Sequence, residues 1–61
     1  MYIINNKGQI FNTDCIPEIT TDGTHVLAVF GNTPRPISYN PEDLKTIADG
    51  IRHNTDFVEV N

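Results

Sequence analysis

The sequence is short of almost everything that would announce a chemistry. One cysteine, Cys15, excludes an internal disulfide, and two separated histidines, His25 and His53, give no structural zinc pattern. Tryptophan is absent. Basic residues number four (Lys7, Arg35, Lys45 and Arg52) against eight acidic ones, a net charge of −4. Duplex DNA demands several cations to neutralise its phosphates, and these four are scattered among acids, so nucleic acid is excluded as a partner. No apolar run is long enough for a bilayer, and Met1 leads straight into Tyr2-Ile3-Ile4 without a basic stretch. Neither a membrane span nor a secretory signal is therefore expected. A lone cysteine fits a reducing compartment, which predicts a cytoplasmic location. The glycines Gly8, Gly23, Gly31 and Gly50 stand apart from one another, so there is no phosphate-cradling loop.

What is present is enough for one domain, residues 1–61. A domain this small buries only about 60% of the surface its unfolded chain exposes. Disulfides and metals are unavailable as reinforcement, which leaves self-association and predicts a homodimer. The acidic balance keeps a small domain soluble and favours a basic protein surface as partner. Its carboxylates are dispersed rather than set in rows, which argues against mimicry of DNA.

The order of elements follows from turn residues and hydrophobic spacing. Met1–Asn5 is β-rich, Asn6-Lys7-Gly8 supplies a turn, and Gln9–Asn12 returns with Ile10 and Phe11. Pro17 places the stretch Cys15–Thr21 at a sheet edge or a bulge. Asp22-Gly23 is the strongest hairpin signal and opens Thr24–Phe30, the best strand in the chain. His25, Leu27 and Val29 point one way along it, and Val26, Ala28 and Phe30 point the other. Both faces are apolar, so both should be covered, and a second copy is the simplest cover for the face the helix does not reach. Thr33-Pro34-Arg35-Pro36 is a stiff connector to a short extended segment, Ile37-Ser38-Tyr39.

Asn40 and Pro41 then mark a helix start, with Glu42 and Asp43 favoured there by the helix dipole. Leu44, Ile47, Ala48 and Ile51 recur at i, i+3, i+4 and i+7 as its apolar stripe, and Asp49 can pair with Arg52 and His53 on the other side. Gly50 either softens the last turn or lets another backbone approach closely. Asn54 suits a left-handed cap, and Asp56–Val60 forms a last strand with Val58 and Val60 inward. The expected fold is α+β: a small antiparallel or mixed sheet of four to five strands, one helix packed on it from the C-terminal half, then a final strand.

Catalysis has little to stand on. Cys15, His25 and His53 are the right residue types for a nucleophile and base, but their spacing carries no signature, and Cys15 lies in an apolar stretch. The i,i+4 pair Asp49/His53 is more often a helix-surface contact than half of a metal site. No enzyme activity, cofactor or metal is expected. Phe57 alternates away from Val58, so either a partner covers it or the Pro34–Pro36 connector does. The candidate dimer or partner interface is His25, Val26, Ala28, Phe30, Phe57 and Glu59, with the last strand able to pair edge to edge with a second copy.

The stretches Met1-Tyr2-Ile3-Ile4-Asn5, His25-Val26-Leu27-Ala28-Val29-Phe30 and Asn40-Pro41-Glu42-Asp43-Leu44, in a chain this small and acidic, resemble the inhibitor proteins that bacteriophages encode against host defences. Among these the chain is similar in style to the Hachiman anti-defence proteins, very short chains that assemble as homodimers. The resemblance implies a non-catalytic inhibitor or adaptor that blocks a host bacterial defence protein by direct binding in the host cytoplasm. The alternative is a small-ligand-binding protein or minor enzyme with a dimer-interface pocket around His25 and Cys15.

Overall fold

A computed structural model describes all of residues 1–61. Six strands, one helix and a 3₁₀ turn follow in the order β1 (Tyr2–Ile4), β2 (Ile10–Asn12), the 3₁₀ turn (Thr13–Cys15), β3 (Glu18–Thr21), β4 (Val26–Phe30), β5 (Thr33–Ser38), α1 (Asp43–Arg52) and β6 (Phe57–Glu59). The class is α+β with one helix and a final strand, as expected. The strands form two sheets of three, ordered β2-β1-β6 and β3-β4-β5, rather than a single sheet of four to five. Two features divide them. After β2 the chain folds into the 3₁₀ turn, held by the Asp14 N–H donating to Asn12 Oδ1 at 3.0 Å, which swings it out of the first sheet. The far edge of β1 is then filled by β6 in parallel, Ile3 opposite Val58, so β3 cannot join there.

The loop between β3 and β4 spans Asp22–His25, and Asp22 organises it. Its Oδ1 accepts from the Thr24 N–H (2.9 Å) and the His25 N–H (2.8 Å). These donors stabilise the charged form and hold the Asp22 carboxyl well below the usual carboxylate range.

The segment Thr33–Pro36, expected as a connector, belongs to β5 and pairs with β4 in antiparallel register, Val29 opposite Pro34 and Leu27 opposite Pro36. Gly31, with φ of +64°, allows the two-residue turn that joins these strands. Prolines two residues apart share one orientation, so both missing N–H groups face away from β4, and an outer strand tolerates them. They also answer the question of the second face of β4. Val26 and Ala28 are fully buried on the inner face, while His25, Leu27 and Val29 are half-buried outside, flanked by those prolines. A second copy is not required as their cover.

The core consists of Ile3 from the first sheet, Val26, Ala28 and Ile37 from the second, Ile47 from the helix, and Val60. Each large aliphatic side chain fully buried here contributes about 1.5–3 kcal/mol. The buried helix face is Asp43, Ile47 and Gly50, with Leu44 half-buried, whereas Ala48 and Ile51 lie exposed. The helix is therefore turned relative to its expected stripe. Gly50 explains the rotation. A Cβ built there would lie 2.7 Å from Val58 Cγ1 and 2.8 Å from Met1 Sδ, so the helix sits closer to β6 than any other residue would permit. The last turn closes at Asn54, in the left-handed region at φ 56°.

Three buried polar residues bind the layers together. Asn5 donates to the Ile37 carbonyl at 2.8 Å, joining the two sheets, and its Oδ1 accepts from the Lys7 and Gln9 N–H groups. Ser38 donates to Asp43 Oδ2 at 2.6 Å, and the Asn61 N–H donates to the same oxygen at 2.9 Å. Asp43 thus does more than complement the helix dipole: it ties the start of α1 both to β5 and to the segment after β6. No helix is long and apolar enough to cross a membrane.

Candidate interaction surface

Alternation along the strands sorts the first sheet into two faces. Ile3, Phe11 and Val58 stand in one cross-strand row and point into the core. The neighbouring rows, Asn12–Tyr2–Phe57 and Ile10–Ile4–Glu59, point the other way. On that outer face Ile10 is 66% exposed, Phe57 52% and Tyr2 50%. An aromatic side chain offers about 150–250 Å² to be buried, so the three together present on the order of 300 Å² of apolar surface. That is within the range of the largest apolar patch on a typical monomer, which often has a function. Asn12 and Glu59 give this face two polar corners.

Phe57 and Glu59 stand together on the exposed edge strand of this sheet, and the Pro34–Pro36 segment leaves Phe57 uncovered. Val26 and Ala28, also expected at an interface, are wholly enclosed by the chain's own core at 0% exposure and are unavailable to a partner. Phe30 is 38% exposed at the end of β4, and His25 sits in the β3–β4 loop, so neither adjoins Phe57 along a strand. Sequence reasoning missed Tyr2, Ile4 and Ile10. The period-2 signal was present in Tyr2-Ile3-Ile4, but only the register with Phe11 and Val58 decides which of these point inward.

His25 borders a shallow groove of about 280 Å³ with Asp22, Leu27, Pro34, Pro36 and Tyr39. Its ring meets Tyr39 edge to face, with centroids 4.9 Å apart, and the Lys7 ammonium lies 4.0 Å from the Tyr39 ring centre. His25 Nδ1 is 2.7 Å from Thr24 Oγ1 and 3.2 Å from Asp22 Oδ2, which fastens the imidazole to its own loop. Cys15 is exposed and precedes the Glu18/Val29 end of the β3–β4 hairpin, whereas His25 follows the Thr21/Val26 end. A nucleophile–base pair needs hydrogen-bond reach, and the hairpin length separates these two.

Elsewhere, Arg52 pairs with the Asp49 carboxylate at 3.1 Å, while His53 Nδ1 lies 2.8 Å from the Asp49 carbonyl rather than its carboxylate. No three His, Cys, Asp or Glu side chains gather where they could hold a metal ion. A second cleft, about 450 Å³, opens beside Tyr2 between the end of α1 and the start of β1, with Asp14 and Asp56 on its rim. No protein-family model, curated protein sequence or solved structure matches the chain.

Proposed function

We propose that this chain is a non-catalytic protein-binding module, an inhibitor or adaptor that works as a homodimer and engages its partner through the outer face of β2-β1-β6. The observation that supports this reading is the exposure of Tyr2, Ile10 and Phe57 on one sheet face of so small a domain. Groups left in water add nothing to a fold already short of buried surface, and a docking role accounts for keeping them. The resemblance to phage anti-defence inhibitors supplies the partner class: a host bacterial defence protein, met in the host cytoplasm by a phage-encoded chain.

The test is a plating assay. A phage restricted by a host carrying the Hachiman system should regain plaque formation when the chain is expressed. Tyr2 and Phe57 are half-buried cross-strand partners, so each single change to Ser should cost about 1 kcal/mol. The triple variant Tyr2→Ser, Ile10→Ser, Phe57→Ser, shown folded by circular dichroism, should lose that rescue. Absence of rescue by well-expressed, folded chain would refute this partner. Full rescue by the triple variant would refute this surface.

A further inference from the structure

We propose that a second copy of this chain pairs with the first along the free edge of β6, antiparallel and centred on Val58, making one continuous six-stranded sheet. The proposal rests on the homodimeric reading above and gives it a geometry. The direction of the β6 backbone follows from two hydrogen bonds at the ends of its ladder with β1. The Tyr2 N–H donates to the Asp56 carbonyl at 2.9 Å, and the Val60 N–H donates to the Ile4 carbonyl at 2.8 Å. Backbone groups alternate in direction along a strand. Asp56, Val58 and Val60 therefore address β1, and the N–H and C=O of Phe57 and Glu59 point to the unpaired side.

That spacing is self-complementary. A two-fold axis at Val58 sets Phe57 of one copy opposite Glu59 of the other, and the reverse, so each pair exchanges two N–H···O bonds. On the outer face the two Phe57 side chains become diagonal neighbours, a separation of about 7–8 Å between strands that aromatic rings can bridge. Their half-exposed surfaces then shield one another. The apolar faces of both copies join into one band, which is the partner-binding surface proposed above at double length.

The other edges are less suited to it. On β5, Pro34 and Pro36 remove the outward N–H groups. Beside β3 the outward positions are Pro17, Ile19 and Thr21, so Pro17 cuts that edge short at one end and the Ile19 amide reports on it in the exchange experiment. β2 runs directly into the 3₁₀ turn after Asn12. Three-residue strands bury well below the roughly 1,600 Å² of a standard interface, so association falls in the micromolar to millimolar range.

The test is amide hydrogen exchange by NMR on the full chain, with light scattering in parallel, across roughly a hundredfold range of concentration. At the upper end, the Phe57 and Glu59 amides should exchange about tenfold or more slowly, while the Ile10 and Ile19 amides stay unchanged. Glu59→Pro removes one outward N–H without touching the β1 ladder. It should abolish the concentration dependence and leave the resonances of Ile3, Val26 and Ile47 in place. If that variant unfolds, exchange in the unmodified chain decides. A dimer by scattering with Phe57 and Glu59 unprotected, or with Ile10 and Asn12 protected instead, overturns the geometry while leaving the inhibitor reading to the plating assay. A monomer throughout overturns both the geometry and the homodimer, and rescue in the plating assay would then show a monomeric inhibitor.

Discussion

Replacing Gly50 with alanine sets two opposing effects against each other at one atom. A methyl group within a helix is worth about 0.5–1 kcal/mol relative to glycine, because the unfolded chain loses less freedom on folding. The same methyl would stand 2.7 Å from Val58 Cγ1 and 2.8 Å from Met1 Sδ. The Met1 thioether is the far end of a flexible chain and can move aside. Val58 cannot do so easily: its branched Cβ restricts χ1, and its backbone is held in the ladder with β1. Overpacking of this kind costs about 1–3 kcal/mol, so the clash wins by about 1 kcal/mol. For a domain of this size that lowers the melting temperature by about 4–8 °C, read by circular dichroism. Ala48→Gly, on the exposed side of the same helix, isolates the propensity effect and should lose about 0.5–1 kcal/mol. Trimming the obstacle is the sharper check. Gly50→Ala with Val58→Ala should be less damaging than the sum of the two singles, with a coupling of at least about 0.5 kcal/mol. A Gly50→Ala protein more stable than the parent would mean that the helix has room there, and the account of its rotation would fail.

Three other perturbations have defined outcomes. Asp43→Ala should lower unfolding free energy by about 2 kcal/mol in urea titration, since it strips the acceptor from buried Ser38 and from the Asn61 N–H. Asn5→Asp should destabilise by a similar amount, about 1–3 kcal/mol, because the donor to the Ile37 carbonyl becomes an oxygen and two acceptors then face each other. Asp22 has a folded-state pKa below its ordinary value of 3.8. Its contribution is therefore fully present above that value and is lost as pH falls below it. Chemical denaturation at stepped pH should show Asp22→Asn with a shallower acid loss than the parent, and parallel curves would contradict the hydrogen-bond account.

Local chemistry in the sequence located most of the elements. The turn at Asp22-Gly23 and the left-handed Asn54 depend on residues next to one another and stand where expected. The Asn40-Pro41 entry is displaced: α1 begins at Asp43 with Glu42 as its N-cap, and Asn40 Oδ1 holds the turn before it by accepting from the Glu42 N–H at 3.1 Å. Whatever depends on distant residues was hidden. Pro34 and Pro36 read as a stiff connector in the sequence because their tolerance within a strand depends on lying at the outer edge of a sheet. In the sequence Asp43 shows only its fit to the helix dipole, because its partners include Asn61, eighteen positions away. Ile51 fitted the apolar spacing as well as any residue in the helix, yet the face that packs is the one bearing glycine, which a hydrophobicity pattern counts for little. The candidate surface was half legible: Phe57 and Glu59 came from alternation in one strand, whereas Tyr2, Ile4 and Ile10 needed the register between three.

The position of β1 has a consequence for how the chain acquires its structure. Its two neighbours come from opposite ends of the sequence, β2 immediately and β6 last, with Tyr2 paired to Phe57. The β1–β2 hairpin can form early, but a two-stranded ribbon is marginal in water. Its third strand arrives only after a loop containing the second sheet and the helix has closed. Of all the strand pairings in the fold, β1 with β6 therefore closes the longest loop and carries the largest entropic cost of closure.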